Sequence, residues 1–381
     1  MILIRVVFSN STSDIDLSDF PNEDHQSRQR NRRPRQHRQR IPERIQRLRT
    51  THHAVPGARR SGQHLHLSKG ATRLGYSAIT TKYKEHQVPE YGGRKVDNAR
   101  VVSKASSRWR SLSLWHTQVN DNGIAEIVKR APNLTEVSID SEVISDRGIE
   151  QLASLSRLVS LLLHHAPNVT NASMEAVGKM TQLRELYLED TQLTDTGVRE
   201  LLGFQNLRVL VLTGTRISDT GVSLLANLET IDVLCLDSTN ITGQGLSDLP
   251  DTQGMMLSMK HCPITDDSLK RYLQSHRKTR ALSLGGSEIT DDPIKLIGAL
   301  QKLEFLDLNN TAVTNESIAT ISQLPELSEL SLDNTGVTDE GMKHLLGHAN
   351  LLVLELRGTA VSSDMAKQLK EQSPGHLSLY Q

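Results

Sequence analysis

The chain is predicted to fold as an α/β solenoid: a right-handed horseshoe with a parallel β-sheet on its concave face and short helices on its convex face. Two observations predict it. A segment beginning at Leu183, LRELYLEDTQLTDTG, returns in degraded form eleven times, with starts at Trp109, Leu134, Leu158, Leu183, Leu207, Ile231, Gly254, Thr279, Leu303, Leu327 and Leu351. The starts lie 23 to 25 residues apart, and a fixed period in this range is the signature of stacked repeats. Within each copy, an alternating apolar stretch precedes a stretch with helical spacing, so each unit holds one strand and one helix. A truncated unit, HLSLYQ, closes the sequence.

The elements follow in order. L-x-L alternates apolar and polar, the period of a strand with one buried face. In the clearest copy Leu186 and Leu188 point inward, and Glu185, Tyr187 and Glu189 point outward. The next apolar position is Leu193, matched by Val119, Ile217, Ile241, Ile264, Ile289, Val313, Val337 and Val361. Thr-Asp-x-Gly comes next. Both Thr and Asp cap helix N-termini, because a side-chain oxygen accepts from an orphan backbone N–H. The run VRELLGF after Gly197 then has apolar residues at helical spacing. No unit buries its apolar face alone, so stacking must build the core.

The consensus L-x-x-L-x-L-x-x-T-x-[IV]-[TS]-D-x-G resembles the leucine-rich repeat family from residue 109 to the end. Its Thr and TDxG features are similar to bacterial repeats and to the helix-bearing repeats of ribonuclease inhibitor and F-box proteins. In well-known members the ninth position is Asn or Cys, bonding adjacent turns in a ladder. Here it is Thr in seven of eleven copies: Thr117, Thr191, Thr215, Thr239, Thr311, Thr335 and Thr359. Thr donates and accepts, so a Thr ladder is expected. The exceptions are Glu142, Ala166, Cys262 and Ser287.

The net charge of zero conceals two halves. Residues 1–108 carry 22 Lys+Arg against 9 Asp+Glu, net +13; residues 109–381 carry 22 against 35, net −13. Residues 28–60 hold twelve Arg and one acid, Glu43, with few apolar residues, a composition that does not offset ordering entropy. Residues 1–75 are therefore read as a basic disordered tail, 76–108 as linker and N-terminal cap, and 109–381 as the repeat domain. The tail has three open readings: a passive or non-native extension, a nucleic-acid-binding arm, or a cover over the acidic half. MILIRVVF is too short and wrongly flanked for a secretory signal. Without cysteine-rich caps, a reducing, cytoplasmic setting is expected. Cys235 and Cys262 point in different directions, against a disulfide.

On this fold the resemblance places ligands on the outward strand positions. Acids there outnumber the two bases, Lys260 and Arg357, which favours a basic protein partner or simply keeps the sheet soluble. Leu162, Tyr187, Val209, Val211, Val233, Cys235 and Met256 form an apolar middle flanked by acids, including Glu189, Asp237, Asp307 and Asp333. An exposed apolar patch rimmed by charge marks an interface, and Trp115, Tyr187 and Phe305 are candidate aromatic anchors. β-Propensity alone also accounts for exposed valines. His164 and His165 sit where neighbouring strands bring Asp140, Glu189, Ser141 and Asp190. That donor set could serve Zn²⁺, but ordinary solvated histidines are the expectation, and neither metal nor cofactor is assigned.

The chain has no P-loop, G-x-S-x-G elbow or H-E-x-x-H, so no enzyme is expected. Residues 1–108 also lack the helix and leucine pattern of an F-box. The sequence thus points to a protein-binding scaffold. The alternative is a protein tethered to nucleic acid or an anionic surface by its Arg-rich arm. Gly254 and Thr279 replace the leading Leu, so irregularity is expected near 250–280.

Overall fold

Each L-x-L segment forms a short strand, and the strands stack in chain order. The computed structural model describes residues 3–6, 13–16, 90–93, 96–252 and 254–381. The Arg-rich segment 28–60 and the readings attached to it lie outside the described residues. Two compact units divide at Lys82 and Tyr83. In the first, β1 (Leu3–Val6) pairs antiparallel with β2 (Ser13–Asp16). Alternating Ile4 and Val6 supply the β-propensity.

The second unit holds one sheet of thirteen strands, each bonded to its sequence neighbours. They are β3 (Glu90–Gly92), β4 (Ser111–Trp115), β5 (Glu136–Asp140), β6 (Ser160–His164), β7 (Glu185–Leu188), β8 (Val209–Val211) and β9 (Val233–Cys235), then β10 (Met256–Ser258), β11 (Ala281–Ser283), β12 (Phe305–Asp307), β13 (Glu329–Ser331), β14 (Val353–Glu355) and β15 (Ser378–Tyr380). All neighbouring pairs are parallel. One leucine row runs in register through Leu186, Leu210, Leu234, Leu257, Leu282, Leu306, Leu330, Leu354 and Leu379. Together with the buried apolar position that follows each strand, it forms one continuous core.

The stack begins earlier than residue 109. β3 pairs with β4, and α1 (Asn98–Val102) buries Val101 beside Val96. This segment stands ahead of the first readable repeat. Its strand lacks the leucine pattern, which is why the repeat is not readable there.

The expected Thr ladder is corrected. The ninth-position hydroxyls of Thr191, Thr215, Thr239, Thr311, Thr335 and Thr359 each donate to the carbonyl three residues back in their own repeat. Among the described ninth positions the link between coils is made at Cys262, which donates to the Leu236 carbonyl at 3.1 Å and lies 3.5 Å from the Thr239 hydroxyl. The eighth residue explains the inward turn. It is left-handed at His116, His165, Asp190, Gly214, Ser238, His261, Gly286, Asn310, Asn334 and Gly358, residue types that mostly tolerate this conformation.

The true ladder uses the Asp of TDxG. Thr or Ser is the N-cap, as at Thr194, Ser218, Thr290, Thr314 and Thr338. The following Asp sits at the first helical position and binds the next repeat. Asp195 accepts the Ser218 N–H at 2.8 Å and its hydroxyl at 2.5 Å. Asp121, Asp146, Asp219, Asp266, Asp291 and Asp339 do the same for Ser145, Thr170, Thr242, Thr290, Thr314 and Ser362. Asn171 and Asn315 substitute by accepting the N–H and donating to the hydroxyl. The consensus Gly makes room for this link: a Cβ on Gly221 would lie 2.4 Å from Asp195 Oδ1, and one on Gly197 2.4 Å from Asn171 Oδ1.

The ladder breaks once. Gly243 stands where Asp is expected, and the next repeat has Ser268 instead of Gly. Ser268 Oγ occupies the gap and donates to the Thr242 carbonyl at 2.7 Å. This repeat has only a 3-10 turn, Leu246–Asp248, on its convex side, and Gly254 is left-handed. The irregular turn thus lies in the repeat that starts at Ile231, ahead of the 250–280 stretch where irregularity was expected. The following repeat compensates with a ten-residue helix, Asp266–Ser275, whose Tyr272 stacks on His276 at 4.3 Å.

Asp195→Ala leaves the Ser218 N–H and hydroxyl without their acceptor and is expected to cost about 1–3 kcal/mol. Asp195→Asn should cost less, since Asn fills this position at 171 and 315; urea denaturation checks both. Gly221→Ala drives a methyl into Asp195 and is expected to destabilise by about 1–3 kcal/mol, with Asp195→Ala rescuing part of that loss in the double variant.

The ladder also predicts acid sensitivity. Burial pushes the Asp291 carboxyl up, but hydrogen bonds from Ser317 and Thr314 outweigh it and hold it below its ordinary value. The Ser362 N–H and hydroxyl hold Asp339 down likewise. A depressed folded value adds stability that is whole above the ordinary Asp value of ~3.9 and is lost as pH falls through the folded value. Urea midpoints should therefore fall between about pH 4 and pH 2, and less steeply for Asp339→Asn.

Candidate partner-binding face

The strand register gathers most of the expected contact residues on one face. Leu162, Tyr187, Val211 and Cys235 form one in-register row. Val209, Val233, Met256, Ala281 and Phe305 form the row beside it. Trp115, Glu189, Asp237, Asp307 and Asp333 face the same side by alternation, with Asp307 in the row of Leu162 and Tyr187.

Exposure departs from the expectation. In the full chain Leu162, Val209, Val211, Val233, Cys235, Met256 and Phe305 are buried, as are Asp237 and Asp307. Trp115, Tyr187, Glu189 and Asp333 are partly exposed. An open apolar patch is thus corrected to a closely covered pair of apolar rows. Strand alternation by itself does not reveal this burial.

The charges are organised. Lys260 extends across the strand of Gly285 and meets Asp307 at 2.9 Å; with no side chain at Gly285, the way is clear. Asp307 also accepts from the Ser283 hydroxyl at 2.9 Å and the Asn309 N–H at 3.0 Å. Burial pulls the Lys260 ammonium down, yet Asp307 and Asp237 outweigh it and hold it above its ordinary value. Burial raises Asp237 against the lowering effect of Ser258 and Lys260. Arg357 pairs with Asp333 at 3.0 Å and approaches Glu355 at 3.6 Å. Sequence reading named Asp237, Asp307 and Asp333 but not this coupling, which depends on residues two strands apart.

The two cysteines are free and buried. Burial, then Asp237 and Glu189, push the Cys235 thiol well above its ordinary value, the opposite of an activated nucleophile.

The histidine pair divides. His164 is buried, with Nδ1 3.1 Å from Glu189, and stacks beside Trp115 with ring centres 5.9 Å apart. His165 turns to the rim, 3.3 Å from Asp140 and 3.5 Å from Asp190. His116 comes to the same Asp140 at 3.4 Å, a partner the sequence reading missed. Among the described residues, no group of three or more His, Cys, Asp or Glu is arranged to hold a metal ion. No helix among the described residues is long and apolar enough to cross a membrane.

A family model described as Leucine Rich repeat matches residues 179–202 and 205–226. The chain contains leucine-rich repeats and has the leucine-rich repeat fold. No curated protein matches it in sequence. Among solved structures it is similar to an internalin, InlF, of Listeria monocytogenes, at 21% identity and a TM-score of 0.55, over 79% of this chain and 88% of that one. The mouse RP105/MD-1 complex is similar at 18% identity and a TM-score of 0.53, over 72% of this chain and 47% of that one, so the chain spans about half of that protein. The Rad7 and Elc1 complex of yeast gives 18% identity and a TM-score of 0.49, over 74% and 83%. These likenesses are of fold. Proteins of this fold generally serve as interaction scaffolds.

Proposed function

We propose that the chain is a scaffold that binds a protein partner through its concave face and performs no chemistry of its own. The observation that carries this reading is the register: two adjacent apolar rows, centred on Tyr187, Val211, Val233 and Met256, with Glu189 and Asp237 at the ends of their strands and Asp307 and Asp333 on later strands of the same face. A contiguous apolar band with a charged rim is the anatomy of a docking surface. Trp115, Tyr187 and Phe305 are its anchors, with Leu162, Val209 and Cys235 filling between them. The acidic surround favours a basic partner through complementarity of charge. The fold neighbours support the class of function, and RP105/MD-1 and Rad7/Elc1 are themselves complexes.

The twelve Arg of residues 28–60 support a second reading, attachment to nucleic acid or an anionic surface. Salt separates the two. Arm-driven binding falls steeply with salt and vanishes in a chain starting at Tyr83, whereas concave-face binding survives both. In that Tyr83 chain, Tyr187→Ala is expected to weaken partner binding about tenfold or more. Val211→Asp should abolish it by placing a charge in the apolar row. Calorimetric titration of the isolated partner, with melting curves to confirm folding, checks both. Unchanged affinity in both variants would remove the concave face from the proposal.

A further inference from the structure

From Asn98 to Asp339, an Asp or Asn at the first helical position accepts the N–H of the next coil's cap at every junction among the described residues but one. The exception joins the coil of β9 to that of β10. Gly243 stands there with φ 90°, and a Cβ on it would lie 2.5 Å from Ser268 Oγ. The consensus carboxylate therefore has neither the backbone nor the room at this position.

Two further departures fall at the same junction. On the rim, the N–H groups of Gln192, Arg216, Ala312, Gly336 and Ala360 bond carbonyls of the coil before. The equivalent residue after β10 is Pro263, which has no N–H to give. On the convex side, the coil of β9 offers its neighbour only the 3-10 turn Leu246–Asp248.

One element of the next coil closes the convex side instead. Near the start of the helix Asp266–Ser275, Ser268 Oγ donates to the Thr242 carbonyl at 2.7 Å. Just past its end, His276 Nε2 lies 2.7 Å from the Leu249 carbonyl, and Lys278 Nζ donates to the Asp251 carbonyl at 3.3 Å. His276 is buried and stacks on Tyr272. Thr242 and Leu249 offer neutral carbonyls where the ladder offers a carboxylate, and charge-assisted hydrogen bonds are the stronger. The concave side stays continuous: Val233, Leu234 and Cys235 pair with Met256, Leu257 and Ser258.

We propose that the β9–β10 junction divides the solenoid into two cooperative blocks, β4 to β9 and β10 to β15, and that the helix Asp266–Ser275 with His276 is the strap that couples them. A stack in which each repeat touches only its neighbours is no more cooperative than its weakest junction, and partial opening follows such boundaries. The candidate contact rows cross the same junction, from Val233 to Met256, so a ligand that spans it couples the blocks as the strap does.

The test uses the full chain. Its two tryptophans, Trp109 and Trp115, both belong to the first block, so tryptophan fluorescence follows that block while far-UV circular dichroism follows both. Asp291→Ala breaks a ladder link inside the second block. It is expected to lower the circular-dichroism midpoint by about 0.5 M urea and to move the fluorescence midpoint far less. His276→Phe keeps a ring against Tyr272 and removes the bond to Leu249. Added to Asp291→Ala, it should widen the gap between the two probes. Equal shifts of both probes in Asp291→Ala, the behaviour of one cooperative unit, overturn the two blocks. A gap that His276→Phe leaves unchanged overturns the strap. Amide hydrogen exchange of the wild-type chain reads the same boundary without any variant: two levels of protection with the step between β9 and β10 are expected, and a single level sinks the inference. Partner binding is no part of these readouts, so this inference and the scaffold reading fail separately.

Discussion

The carboxylate that each repeat lends to the next is the constraint on which the stack depends. Strand pairing and leucine packing operate in any parallel sheet. The bond from Asp195 to the N–H and hydroxyl of Ser218 fixes something further: where the next helix begins relative to the previous one. It satisfies an amide that enters the helix and ties the cap residue in place, so capping and stacking become one interaction. Three residues of the consensus serve it. Thr supplies the cap, Asp the acceptor, and Gly the space for the acceptor of the coil before.

The chain also has one exception. Gly243 removes the carboxylate, and Ser268 of the next repeat bonds the Thr242 carbonyl instead; the consensus Gly is itself dispensable, since Ser173, Pro293, Ser317 and Met365 hold its position beside intact carboxylate links. Because each repeat touches only its neighbours, the exchange stays local. The strands on either side remain in register from β9 through β11. The defect appears on the convex side, as a 3-10 turn followed by a longer helix.

The sheet, its direction and its core were legible because a two-residue alternation leaves one choice of buried face, and eleven copies repeat that choice. The ladder was not. Thr191 looks like a link between coils by analogy of position, and Asp195 looks like a cap by local chemistry; each takes the other's role because their partners lie either three residues back or 23 residues ahead. A reading confined to one repeat sees neither. The left-handed eighth residue carried a signal in its composition of Gly, Asn, Asp, His and Ser, visible only when that column is read down all repeats. On the candidate face, alternation identified which side chains share a surface. Their burial was not legible, since exposure depends on every neighbour and not on the strand alone.

The polar groups of that face fall into two kinds, and the difference bears on recognition. Toward the C-terminal end, charges answer one another: Lys260 with Asp307 and Arg357 with Asp333. Such pairs already have their partners, and an incoming group would have to break them at a cost of several kcal/mol for a buried ion. Asp140, Asp237 and Glu355 each keep an oxygen without a hydrogen-bond partner among the described residues, so the second kind is not confined to one end of the sheet. Interfaces draw their energy from a few desolvated, well-fitted contacts and not from area.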